Sequence, residues 1–279
     1  MARYDRPLEG AVLVVDQPDG SSIHSVSLGS GDRVAVLAHG YGFTMDEWND
    51  VAERLVEQGL RVVAFDQRGH GRSTIGSDGI GTEQMASAYA AVLEAHDIRD
   101  AVLVGHSMGG FLSLAFLLGD SEATGRVRSL LLMATFAGDV SRDNPQNRLQ
   151  IPLIKSGVLP ALLGSGFVAR AFTKSLVGDD FEAGLADAFV PTFRAQEHDR
   201  LVPILRAMVE ESRYDRLGEL DLPCTVLVGS KDKTTPPFHT ADLHAGIAGS
   251  RLVTLEGKGH LLNWEAPDAV AEEILGLAG

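Results

Sequence analysis

A doubly wound, mostly parallel α/β sheet of eight strands, with a helical cap inserted late in the chain, is the fold this sequence predicts. Three observations predict it. Short continuous apolar runs recur along the chain, as expected of parallel strands buried on both faces. Amphipathic segments of helical period lie between them, which implies right-handed crossovers. One interval, residues 138–218, holds helix-like apolar pieces and no strong strand, and it is far too long for a loop.

Each element can be justified in order. The opening MARYDRPLEG is charged and lacks the apolar centre of a leader peptide. Alternating segments at residues 11–15 and 23–28, joined by Pro18-Asp19-Gly20, read as an antiparallel pair. The six buried runs are 34–38, 62–65, 101–104, 129–133, 225–228 and 252–255. Thr44-x-x-Glu47 reads as a capping box opening a helix over 46–58 that stops at Gly59. Thr82 caps a helix over 83–96, and further helices are expected at 111–118, 237–247 and 267–277. The expected cap helices are 151–163, 167–177, 181–189 and 201–211, so the core comprises residues 1–137 and 219–279 and the cap 138–218.

The 279 residues are 44% hydrophobic and 22% charged, enough apolar content for a sizeable globular core. A formal net charge of −14 disfavours nucleic acid or an anionic membrane as a general partner, since both are bound through excess Lys and Arg. No run is long and apolar enough to span a bilayer, and a cytoplasmic location is expected. Cys224 is the lone cysteine, so no intrachain disulfide forms, and its place beside a strand suits core packing.

The chemistry starts at Gly105-His106-Ser107-Met108-Gly109-Gly110, between an apolar strand and a helix. Gly-x-Ser-x-Gly in that context is a nucleophile elbow, whose tight turn lifts a serine hydroxyl clear of the sheet and demands small neighbours. A serine needs a base, and the base needs an orienter. Asp232, in Gly229-Ser230-Lys231-Asp232, follows a strand and precedes Pro236-Pro237, at the sheet end where catalytic groups gather. Asp242 reads as an ordinary helix-surface charge. His260 ends Glu256-Gly257-Lys258-Gly259-His260 beyond the last strand. His24, His96, His198, His239 and His244 lack that context, and His106 must point away from its neighbour's chemistry. His39-Gly40-Tyr41-Gly42 follows the first parallel strand, making the Tyr41 N–H a candidate oxyanion donor beside that of Met108.

With these pieces in order, the chain resembles the α/β-hydrolase superfamily, and within it the capped serine esterases and lipases. Asp66-Gln67-Arg68-Gly69-His70-Gly71-Arg72-Ser73 is similar to the family's D-x-R-G-x-G-x-S loop, which the resemblance makes structural, leaving His70 and Ser73 without a catalytic role. Serine at position 107 speaks against relatives that use an aspartate nucleophile. Met133-Ala134-Thr135-Phe136, after the sixth strand, offers no acid in the place some relatives use, which leaves Asp232.

The expected reaction is acyl transfer. Ser107 attacks a carbonyl, His260 moves the proton, Asp232 orients the imidazole, and the Tyr41 and Met108 N–H groups hold the oxyanion. No metal or organic cofactor is expected: H-E-x-x-H and C-x-x-C spacings are absent, and Gly164-Ser165-Gly166 follows no strand. Apolar cap segments such as Ile151-Pro152-Leu153-Ile154 suit small-molecule esters of medium acyl chain length, or monoacylglycerols. The alternatives are a C–C bond hydrolase, lyase or perhydrolase using the same triad, or a non-hydrolysing small-molecule receptor. A C–C hydrolase wants polar cap residues at the substrate, for which Arg142, Arg148, Lys155, Arg170 and Arg194 are the candidates.

Overall fold

A computed structural model describes residue 4 and residues 6–279; positions 1–3 and 5, part of the charged opening, lie outside the described residues. The sheet is built from β1 (Ala11–Asp16), β2 (Ser22–Leu28), β3 (Val34–Ala38), β4 (Arg61–Phe65), β5 (Ala101–His106), β6 (Val127–Met133), β7 (Cys224–Gly229) and β8 (Arg251–Leu255). Their order is β1-β2-β4-β3-β5-β6-β7-β8. β1 pairs β2, and β2 pairs β4, antiparallel; all later pairings are parallel. The central strands β3, β5 and β7 are buried along their whole length. Alternate residues serve opposite faces: Val36 joins one apolar cluster, Leu37 the other. Burial weakens toward the edges. β1 leaves Val12 and Val14 exposed, and β8 is largely exposed or half-buried.

Helices α1 (Asn49–Glu57) and α11 (Pro267–Ala278) cover one face; α2 (Thr82–Ala95), α3 (Met108–Leu117) and α9 (Pro237–Gly246) cover the other. Between β6 and β7 the chain inserts α4 (Pro145–Lys155), α5 (Val158–Leu162), α6 (Gly166–Leu176), α7 (Ala183–Ala195) and α8 (Val202–Glu210), which form the cap. A short α10 (Leu262–Glu265) precedes α11. Among the described residues no helix is long and apolar enough to cross a membrane.

Several local expectations are corrected. Residues Met45–Trp48 form a 3₁₀ turn before α1, and Thr44 makes no side-chain cap bond. The capping box fails because the Glu47 side chain turns inward, to His106 and the Gly40 N–H. Thr82 lies inside α2 rather than capping it, and its hydroxyl donates to Glu211. The expected helix over 151–163 is two helices, broken where Gly157 takes φ +72°. Helix α7 runs to Ala195, six residues beyond the expected end at 189.

Candidate active site

Three strand ends converge at one place. Ser107 follows β5 with φ 53° and ψ −117°, a conformation costly for any residue with a side chain. Its surroundings hold it there. The Ser107 N–H donates to the Met133 carbonyl at 3.0 Å, and its own carbonyl accepts the Thr135 hydroxyl at 2.5 Å. Small neighbours are mandatory: a Cβ on Gly105 would meet the Gly110 Cα at 2.5 Å, and one on Gly110 would meet Thr135 at 2.6 Å.

Asp232 lies in the loop after β7, its side chain fully buried. Oδ1 accepts the Thr234 N–H at 2.8 Å and the Thr235 N–H at 2.9 Å. Oδ2 accepts the Thr235 hydroxyl at 2.8 Å and faces His260 Nδ1 at 2.9 Å. With the carboxylate ionised, Nδ1 carries a hydrogen, and in the neutral ring Nε2 is then the acceptor. The loop bearing His260 is fixed on both sides. The His260 N–H donates to the Leu176 carbonyl at 2.7 Å, at the end of α6 in the cap. The Glu265 carboxylate accepts the N–H groups of Gly259, Leu261 and Gly178. Burial raises Glu265 above the usual carboxylate range, against the pull of those N–H groups.

Ser107, His260 and Tyr41 border one cavity of about 90 Å³ between the sheet end and the cap. Its cap wall comes mainly from Ile151, Ile154, Phe172, Phe189 and Phe193, with Asn147 and Gln150 as polar exceptions. Among the described residues, no Lys or Arg borders it. The five cap cations named above are therefore elsewhere: Arg142 pairs with Asp242, and Arg148, Arg170 and Arg194 are exposed. Asp242 is the expected helix-surface charge, on α9, and pairs there with Arg142.

The Tyr41 ring ties this corner to the cap. Its hydroxyl bonds His198 Nδ1 at 2.8 Å, and His198 Nε2 donates to the Phe193 carbonyl at 2.7 Å. Met108 is the first residue of α3, so its N–H has no helical acceptor. His70 is buried within the structural loop, and Ser73 donates to the Asp66 carbonyl at 2.6 Å. Cys224 is buried and pushed up to about 12 by desolvation, which leaves it a thiol.

Some participants were invisible to sequence reasoning. Thr235 reads as part of a turn until its hydroxyl is seen beside both Asp232 and His260. Glu265 carries no local signal, and Glu47 carried a misleading one.

Residues 35–273 match the model of the alpha/beta hydrolase family. The chain is 31% identical over 250 residues to a non-heme chloroperoxidase from Kitasatospora aureofaciens, covering 87% of this chain and 90% of that one. It is 29% identical over 266 residues to a 2-hydroxy-6-oxononadienedioate/2-hydroxy-6-oxononatrienedioate hydrolase from Escherichia coli, covering 91% and 89%. Its fold is similar to that of an esterase from Exiguobacterium antarcticum, with TM-score 0.83 and 22% identity over 97% of this chain and 99% of that one.

Proposed function

The chain belongs to the alpha/beta hydrolase family, and we propose that it is a serine hydrolase cleaving carboxylic esters through an acyl-enzyme intermediate. The observation that carries this reading is a left-handed serine sharing one apolar cavity with a buried histidine, whose far nitrogen meets a buried aspartate. In this reading Ser107 Oγ attacks the ester carbonyl carbon while His260 Nε2 takes its proton. Asp232 holds the ring's tautomer and stabilises its charged form. The N–H groups of Tyr41 and Met108 receive the oxyanion. His260 then protonates the departing alcohol, and water repeats the sequence to release the acid. Residues 138–218 act as the lid over a core of residues 1–137 and 219–279.

A neutral, apolar acyl group is the substrate favoured. A dioate, as in the name of the Escherichia coli relative, brings negative charges that want cations, and among the described residues no Lys or Arg borders this cavity. At about 90 Å³ the cavity is smaller than the roughly 150 Å³ that admits benzene. Short acyl groups are accommodated first, and medium chains or monoacylglycerols need α4 and α6 to part. The chloroperoxidase likeness favours one second reading, in which hydrogen peroxide replaces water on the same acyl-enzyme and releases a peracid.

A fluorophosphonate probe with peptide mapping tests the proposal. Labelling at Ser107, abolished in Ser107→Ala, is expected; labelling elsewhere, or none, rejects it.

A further inference from the structure

Directly behind the serine, His106 and Glu47 form a charge-capable pair whose side chains are both fully buried. Neither belongs to the acyl-transfer machinery above. The His106 ring contacts two acceptors: Nδ1 lies 2.9 Å from Glu47 Oε1, and Nε2 lies 3.1 Å from the main-chain oxygen of His260. A carbonyl has no proton to give, and an ionised carboxylate has none either. With Glu47 ionised, both ring nitrogens donate and the ring carries two protons.

Its surroundings fit that state. The ring is packed by the edges of Phe43 and Trp48 and by the His260 ring, 4.9 Å away. Desolvation works against charge there, but the Glu47 carboxylate outweighs it through its charge and hydrogen bond, and His106 is held above its usual value. Among the described residues Glu47 Oε2 has no hydrogen-bond partner, a costly placement that the cationic ring offsets.

Glu47 touches the chain on both sides of the site. Its Oε1 also accepts the Gly40 N–H at 3.2 Å, one residue before Tyr41. Its main-chain oxygen accepts from Asn263 Nδ2 at 2.8 Å and Trp264 Nε1 at 2.9 Å, just beyond His260.

We propose that Glu47 and His106 are positioning residues: Glu47 keeps His106 doubly protonated so that the ring can hold the His260 main chain, while the same carboxylate fixes the Gly40–Tyr41 turn. One pair thereby sets the base and the oxyanion loop in register. The proposal rests on the ester-hydrolase reading for its kinetic consequence alone.

In Glu47→Gln the neutral amide no longer supports a second proton. His106 then keeps one proton: either Nε2 gives up its proton and the His260 contact, or the amide N–H turns to Nδ1 and the Gly40 N–H loses its acceptor.

The test combines ¹⁵N-histidine spectra with p-nitrophenyl acetate kinetics. Both His106 nitrogens should be protonated in the wild type at neutral pH and one in Glu47→Gln. The variant's kcat should fall roughly 10- to 100-fold, the scale of an ångström-sized misplacement, with KM within about twofold. His106→Gln supplies an uncharged donor toward the His260 carbonyl and should retain more kcat than His106→Ala. Adding Glu47→Gln to His106→Gln should cost far less than it does alone, because the pair acts as a unit.

A singly protonated His106 in the wild type overturns the proposal, as does wild-type kcat in Glu47→Gln. Equal activity in His106→Gln and His106→Ala overturns it too, and needs no folded Glu47 variant. Absence of Ser107 labelling strikes the ester-hydrolase reading instead, while the His106 spectrum stands apart from any substrate.

Discussion

At the C-terminal edge of the sheet, atoms are held by hydrogen bonds between buried polar groups; in the cap above it, by phenylalanine rings. Asp232 receives two N–H groups, a hydroxyl and an imidazole, and each contact has a direction. Phe172, Phe189 and Phe193 pack with centroids 5.4–5.8 Å apart, and Phe43 of the core joins them 4.9 Å from Phe189. Directional contacts fix a geometry to fractions of an ångström; dispersion fixes a volume and tolerates repacking. The corner is suited to chemistry and the cap to selecting size. The two meet where the Leu176 carbonyl, on the cap, accepts the His260 N–H.

Three perturbations should separate the regions. The largest effect belongs to the corner. Ser107→Ala and His260→Ala should each lower kcat/KM for a p-nitrophenyl ester by at least about 10³-fold. Circular dichroism should remain native, since neither substitution removes much packing. Near-wild-type turnover in either variant would dissolve the distinction between the regions.

Next comes acid. His39 accepts the Gln67 N–H at Nε2, 2.9 Å, and bonds the Gly40 carbonyl through Nδ1, 2.8 Å, so it must stay neutral. Burial lowers it to about 4. A depressed histidine contributes stability that is present above the unfolded value and lost as pH falls through the folded one. From about pH 6.5 down to about 4, His39 should therefore remove on the order of 3 kcal/mol. Thermal melts across that range should show a falling Tm. Buried His198, on the cap, is also lowered and adds to the slope in the same direction, so the His39 share is the difference between wild type and His39→Gln, and equal slopes in the two would contradict the assignment of a neutral His39.

The smallest effect belongs to the cap. Phe172→Leu should shift acyl preference toward longer chains by about fourfold for each methylene newly buried, the equivalent of about 0.8 kcal/mol. Turnover of the acetate ester should change little. A p-nitrophenyl ester series from acetate to octanoate measures this, and an unchanged chain-length profile would mean the ring does not bound the acyl group.

The contrast also explains what could be read in advance. Strand positions were legible because burial on both faces demands continuous apolar residues, as in Val34–Ala38. Cap helices were legible as helical but poorly bounded: the break at Gly157 and the long α7 depend on how the helices dock. Family membership, through residues 35–273, follows from the same pattern plus the glycine turns. Glu47 was misread because a capping box and an inward-facing carboxylate share one local sequence.

By itself the sequence determined the order of strands and helices, the small residues around Ser107, and the loops that carry Asp232 and His260. Those depend on neighbours a few residues away, where periodicity and turn chemistry act. Only the tertiary structure decided that Glu47 meets His106 across 59 positions, that His106 meets the His260 carbonyl across 154, and that phenylalanines close the cavity. Such pairings are set by how the sheet twists and how the cap settles on it. Proton positions follow the partners a ring finds after folding, and no local pattern in the chain encodes them.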